Sequence, residues 1–152
     1  MASAHRLITV LVAGALLACS PRPRVAVAPA PETPEATVGQ FIAAVNANDQ
    51  ARMQSLFGDE RGPLATYRPS VTEREERMAI IQRLVACDSS RINGWEPVPG
   101  KPRRRHLSVD LKKGDRWLAA PFTVASQRDG GWLVTEIKLD ALLPGAGNRP
   151  HP

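Results

Sequence analysis

Apolar positions recur along this chain at two different periods, and the change of period divides it. Val38, Phe41, Ile42 and Val45 stand three or four residues apart, the spacing that lines one face of an α-helix. Pro34 suits a first helical turn and Thr33 an N-cap, which predicts the helix start. Asn46-Ala47-Asn48-Asp49 interrupts the pattern; Asp49 then caps a second short helix carrying Met53, Leu56 and Phe57, which Gly58 stops. The stretch from Gly58 to Ser70 reads as irregular, with a strand-like piece from Leu64 to Tyr67 between the breakers Gly62-Pro63 and Pro69. A third helix follows, with Thr72 and Glu75 as its capping box, Glu73 four residues before Arg77, and Met78, Ile81, Leu84 and Val85 as its buried stripe.

After Ser90 the period falls to two, and the remainder reads as sheet: a strand over Arg91–Val98, then three more. Leu107, Val109 and Leu111 alternate with Arg104, His106, Ser108, Asp110 and Lys112. Leu118, Ala120, Phe122 and Val124 share the next apolar face, and Leu133, Ile137 and Leu139 the last. Gly114-Asp115 suits a two-residue type II′ turn, which sets Leu111 opposite Leu118, Val109 opposite Ala120 and Leu107 opposite Phe122. Asp129-Gly130 reads as a type I′ turn, which sets Thr135 opposite Val124, Val134 opposite Ala125 and Ile137 opposite Phe122. Both turns bring apolar positions together, so pattern and turn chemistry agree on an antiparallel meander.

The first residues carry an address. His5 and Arg6 precede an apolar run from Leu7 to Leu17, too short to span a bilayer, and Leu16-Leu17-Ala18-Cys19 closes it. This resembles a bacterial lipoprotein signal, with an apolar residue three before the cysteine and a small one directly before it. The resemblance implies cleavage before Cys19 and lipidation of its thiol. Residues 1–18 are then a signal peptide, 19–33 a Pro/Ala-rich tether, 34–143 one domain and 144–152 a disordered tail. With Ser20 rather than aspartate beside the anchor, the expected place is the cell envelope, on the outer membrane facing the periplasm where a cell has two membranes. A lipidated Cys19 also leaves Cys87 without a disulfide partner.

Two helices with Phe-Ile-Ala-Ala-Val-Asn-Ala-Asn-Asp at their elbow, a third helix and a meander closing on Trp132-Leu133-Val134 resemble the nuclear-transport-factor-2-like superfamily, also called SnoaL-like or ketosteroid-isomerase-like. The resemblance covers Pro34 to about Leu143. It implies an α+β cone in which a curved antiparallel sheet wraps helices around a pocket. The early hairpin of that family is here at most Leu64 to Tyr67. Isomerase chemistry in such a cone needs a carboxylate or a His–Asp pair within hydrogen-bond reach. His106 and Asp110 do not meet that need: four strand residues separate them by roughly 13 Å, and both lie on the polar face. Phe41, Tyr67 and Asp88 remain as pocket candidates, and no catalytic residue is assigned. His106 and Cys87 stand in no ligand cluster and no glycine loop opens a helix, so neither a metal nor a cofactor is expected.

Charge adds one surface feature. The chain has 20 basic and 15 acidic residues, and Lys101, Arg103, Arg104 and Arg105 form its densest basic run. On an exported protein this run suits anionic lipid or polysaccharide rather than nucleic acid, with a solvated strand start as the alternative. The strand from Trp117 onward is apolar on both faces, so Trp117, Ala119, Ala125, Trp132 and Val134 are expected to form an interface, to a second copy or an envelope protein. These readings converge on a membrane-anchored, non-catalytic envelope lipoprotein that binds a protein partner or a small apolar ligand. An isomerase- or hydrolase-like enzyme in the same cone, and a structural assembly factor, are the alternatives.

Overall fold

The structure, a computed structural model, describes residues 29–66, 70–128 and 130–143. The signal segment with Cys19, residue Tyr67 and the tail lie outside them. Helices α1 (Pro34–Asn46) and α2 (Gln50–Leu56) start where the sequence places them: the Thr33 hydroxyl accepts from the Ala36 amide and the Asp49 carboxylate from the Arg52 amide. Val38, Phe41, Ile42, Val45, Met53, Leu56 and Phe57 are all buried. Helix α3 (Val71–Val85) buries Met78, Ile81 and Val85, while Leu84 is only half-buried. Its capping box lies two residues earlier than predicted: Ser70 Oγ accepts from the Glu73 amide, and Glu73 Oε2 accepts from the Ser70 amide at 2.8 Å.

The strand-like piece expected from Leu64 is a 3-10 turn over Leu64–Thr66; the hairpin comes before it, as β1 (Gly58–Asp59) and β2 (Gly62–Pro63). Glycine at position 58 makes this possible, since a Cβ there would come within 2.1 Å of the Gly62 carbonyl oxygen. A five-stranded antiparallel sheet carries the rest, built from β3 (Ser89–Val98), β4 (Lys101–Lys113), β5 (Arg116–Ala119), β6 (Phe122–Ser126) and β7 (Trp132–Ile137). Its order is β3-β4-β6-β7, with β5 continuing the β6 side of β4. Pro121 cannot donate to the ladder and separates β5 from β6. A parallel bridge between Phe57 and Val134 brings the β1–β2 hairpin to the β7 edge. The fold is α+β, with the three helices packed on one face of a curved antiparallel sheet.

Register follows the predicted turns on one side of β6 and departs on the other. Leu111 faces Leu118 and Leu107 faces Phe122, and the Ala120 amide donates to the Val109 carbonyl at 2.8 Å. Gly114 has φ 58 as the first residue of the two-residue turn closed by Lys113 and Arg116. Between β6 and β7 the turn is one residue longer than predicted, because the Gln127 amide donates to the Gly131 carbonyl and Ser126 pairs with Trp132. Gly130 and Gly131 both take left-handed backbone, at φ 93 and φ 77. The one-residue offset is taken up by a bulge at Thr135, so Phe122 still faces Ile137. Within the offset Val124 faces Val134 and Ala125 faces Leu133, not the predicted Thr135 and Val134.

The rings of Phe41, Phe57 and Phe122 fill the space between helices and sheet, with Phe41 edge-on to Phe122 at 6.3 Å between centroids and tilted against Phe57 at 6.0 Å. The end of the predicted tether belongs to the packed domain. Pro31 is buried, and its carbonyl accepts from the Trp132 amide at 2.9 Å.

Candidate functional site

An opening is present where a helix meets the sheet. A groove of about 560 Å³ runs between α3 and the end of β7. Phe57, Ile80, Ile81, Ile137 and Leu139 form its floor, and Glu73, Glu76, Arg77 and Glu136 its rim. Helical spacing explains the α3 side: residues 73, 76, 77, 80 and 81 recur at three and four, so one flank of the helix presents both acids and isoleucines. Ile80 is about half exposed, at 49%. Its exposure was legible in the sequence as an isoleucine outside the Met78–Ile81–Val85 stripe, a signal the periodicity argument passes over.

The pocket candidates take other places. Phe41 is fully buried in the core. Asp88 is exposed and its Oδ2 accepts from the Gly114 amide at 2.7 Å, which pins the β4–β5 turn to the end of α3. Tyr67 lies outside the described residues. Among the described residues the buried polar side chains are Thr37 and Thr123. Thr37 Oγ1 donates to the Thr33 carbonyl at 2.9 Å, and Thr123 Oγ1 meets His106 Nδ1 at 3.0 Å on the sheet face away from the helices. Asp110 accepts from Asn93 Nδ2 at 2.8 Å, so His106 and Asp110 are engaged separately. No group of three or more metal-ligating side chains is gathered among the described residues.

The predicted interface divides. Trp117 and Ala119 are exposed on the outer sheet face, where the Arg91 guanidinium lies 4.6 Å from the Trp117 ring centroid. Ala125 and Val134 are fully buried. The bulge turns Val134 into the helix-side core, and Ala125 stands against Leu133, itself fully buried. Trp132 is half-buried and packs against the helix-side core. These three do not share an exposed surface with Trp117.

The basic run is dispersed as strand alternation requires. Arg104 pairs with Glu60 of the hairpin, Nη2 to Oε2 at 2.9 Å, and this guanidinium holds the Glu60 carboxyl below its usual range. Arg105 lies between Trp95 and Trp132, 5.0 and 5.6 Å from their ring centroids. Arg103 donates to Ser126 O at 2.9 Å, and Lys101 is exposed. Cys87 is half-buried beside Asn46, whose Oδ1 accepts from the Cys87 amide at 3.0 Å; burial pushes its thiol pKa up.

No family model matches this chain, and no curated protein matches it. It is similar to two solved structures. One is an NTF2-like protein of unknown function from Cytophaga hutchinsonii ATCC 33406, 16% identical over 69% of this chain and 86% of that one, with a TM-score of 0.41. The other is an NTF-2 like protein of unknown function from Silicibacter pomeroyi DSS-3, 15% identical over 68% and 87%, with a TM-score of 0.42.

Proposed function

We propose that this protein is a membrane-anchored, non-catalytic binding module of NTF2-like architecture, held by lipid at Cys19 and taking its ligand in the groove between α3 and β7. The observation that carries the reading is where the open apolar surface lies. Three phenyl rings pack between the helices and the sheet, while Ile80, Ile81 and Ile137 line an open groove beside Phe57. The His106 and Asp110 considered for a proton shuttle stand elsewhere, His106 engaged by Thr123 and Asp110 by Asn93. The rim sets the ligand's charge. Glu73, Glu76 and Glu136 outnumber Arg77, so the groove favours an apolar group carrying a positive charge, such as the aliphatic and basic side chains of a partner segment.

Octylamine and octanoate offer the same alkyl chain with opposite charge, and isoleucine methyl resonances report on the floor. Octylamine should shift Ile80, Ile81 and Ile137 at several-fold lower concentration than octanoate, and Ile80→Gln should weaken it about tenfold with the fold unchanged. Equal affinity for both probes, or indifference to Ile80→Gln, would remove the groove from the reading.

A further inference from the structure

A second groove, of about 740 Å³, lies between the β1–β2 hairpin and the β6–β7 turn, and its charge is opposite to that of the first. Among the described residues, Arg61, Arg103 and Arg128 line it against one acid, Glu60. The acids nearby are already engaged: Glu60 by Arg104, and Asp59 by Arg61 at 2.8 Å. Arg103 spends Nε and Nη2 on the Ser126 hydroxyl and carbonyl, which hold its side chain without neutralising it. Arg128 is exposed and forms no ion pair with a described residue. Thr66 and Gln127 complete the lining, their donors turned to the carbonyls of Pro63 and Asp59, which stiffens the walls. The guanidinium groups of Arg103 and Arg128 thus line one cleft whose described carboxylate, Glu60, is already paired with Arg104, an arrangement suited to a phosphate oxyanion.

The position of the groove names its occupant. Gln127 and Arg128 belong to the turn closed by Gly131, and Gly131 lies so close to Ala30 that a Cβ added to it would be 2.8 Å from the Ala30 Cβ. The chain from Cys19 therefore enters the domain beside this groove, and eleven residues can extend at most about 40 Å. We propose that the Arg103–Arg128 groove binds the phosphate of anionic phospholipid headgroups and orients the domain on the bilayer. The choice of a lipid occupant rests on the anchored reading above; the groove's affinity for phosphate does not.

The test uses the full chain with Cys19→Ser, floated with vesicles of phosphatidylcholine alone or with 30% phosphatidylglycerol. The ratio of the two partition coefficients cancels whatever the apolar residues before Cys19 contribute. Arg103→Gln with Arg128→Gln should lower this ratio more than tenfold, at about fivefold per arginine. Arg83→Gln with Arg116→Gln, an equal change of charge elsewhere, should leave it near the parent value. Arg128→Glu alone, at an exposed position, should lower it without disturbing the fold measured by circular dichroism. Equal losses in both double variants, or no dependence on phosphatidylglycerol, overturn the proposal. So does inorganic phosphate binding at the arginine Nε resonances without vesicle selectivity, which would mean a free-phosphate site. Ile80→Gln should not change the ratio, and lipidation is read separately from the mass at Cys19, so failure here is distinct from failure of the anchored binding module.

Discussion

Position 122 and its neighbours show how much a single side chain's direction is worth in this sheet. Phe122 is fully buried between Leu107 and Ile137 and touches Phe41 edge-on, so Phe122→Ala should cost about 3 to 5 kcal/mol in chemical denaturation. Thr123 points the other way, which on alternation alone would make it a solvent position. It is 4% exposed and bonded to His106, so Thr123→Ala should still cost about 1 kcal/mol. Ala125→Lys should destabilise the domain by several kcal/mol, because a buried ammonium there would have no prepared partner, whereas Ala119→Lys should be nearly silent. Similar midpoints for the two lysine variants would mean that the β6–β7 register is wrong. Alternation made the inward face of β4 and β6 legible at this scale. It could not reveal the bulge, since Asp129-Gly130 alone signals a two-residue turn and the second glycine, with φ 77, is what lengthens it.

At the scale of elements, local chemistry specified existence and left some boundaries open. Three helices and a meander follow from period and caps, and their order was readable because each cap precedes its own apolar stripe. The start of α3 was ambiguous for a physical reason: Ser70-x-x-Glu73 and Thr72-x-x-Glu75 are overlapping capping boxes, and either leaves Met78, Ile81 and Val85 on the core side. Starting at Ser70 adds two residues to the helix and brings Glu73 to the groove rim. Ser70→Ala should therefore cost about 1 kcal/mol, and Thr72→Ala only a few tenths. Glu73→Gln should keep the cap, since its amide oxygen can still accept, while removing a rim charge. Thermal midpoints of these three variants separate the two frames, and a larger loss for Thr72→Ala would restore the later start. The hairpin was less visible, because two-residue strands carry no period. Its signal was Gly58, which the approach of the Gly62 carbonyl requires.

For the whole molecule, the two grooves and the point of chain entry define a polarity. The arginine-lined groove lies at the end where residue 30 meets Gly131, and the acidic, apolar groove lies between α3 and β7. Neither was legible in the sequence, because each gathers residues from elements distant along the chain: Arg61 with Arg103 and Arg128, and Glu73 with Ile137. A lipid on Cys19 would set this polarity relative to a bilayer, through a segment too short to let the domain wander further than about 40 Å. Cys19→Ala should then leave the precursor uncleaved and free of acyl chains, read by intact mass after expression in a bacterial host. In that variant the apolar run from Leu7 to Leu17 is retained, so release from the membrane need not follow, and mass rather than fractionation decides. The parent should lose residues 1–18 and gain the mass of a diacylglyceryl group on the new first residue. A parent whose mass shows an intact amino terminus, or a variant that still matures with acyl chains, would remove Cys19 as the lipidated residue.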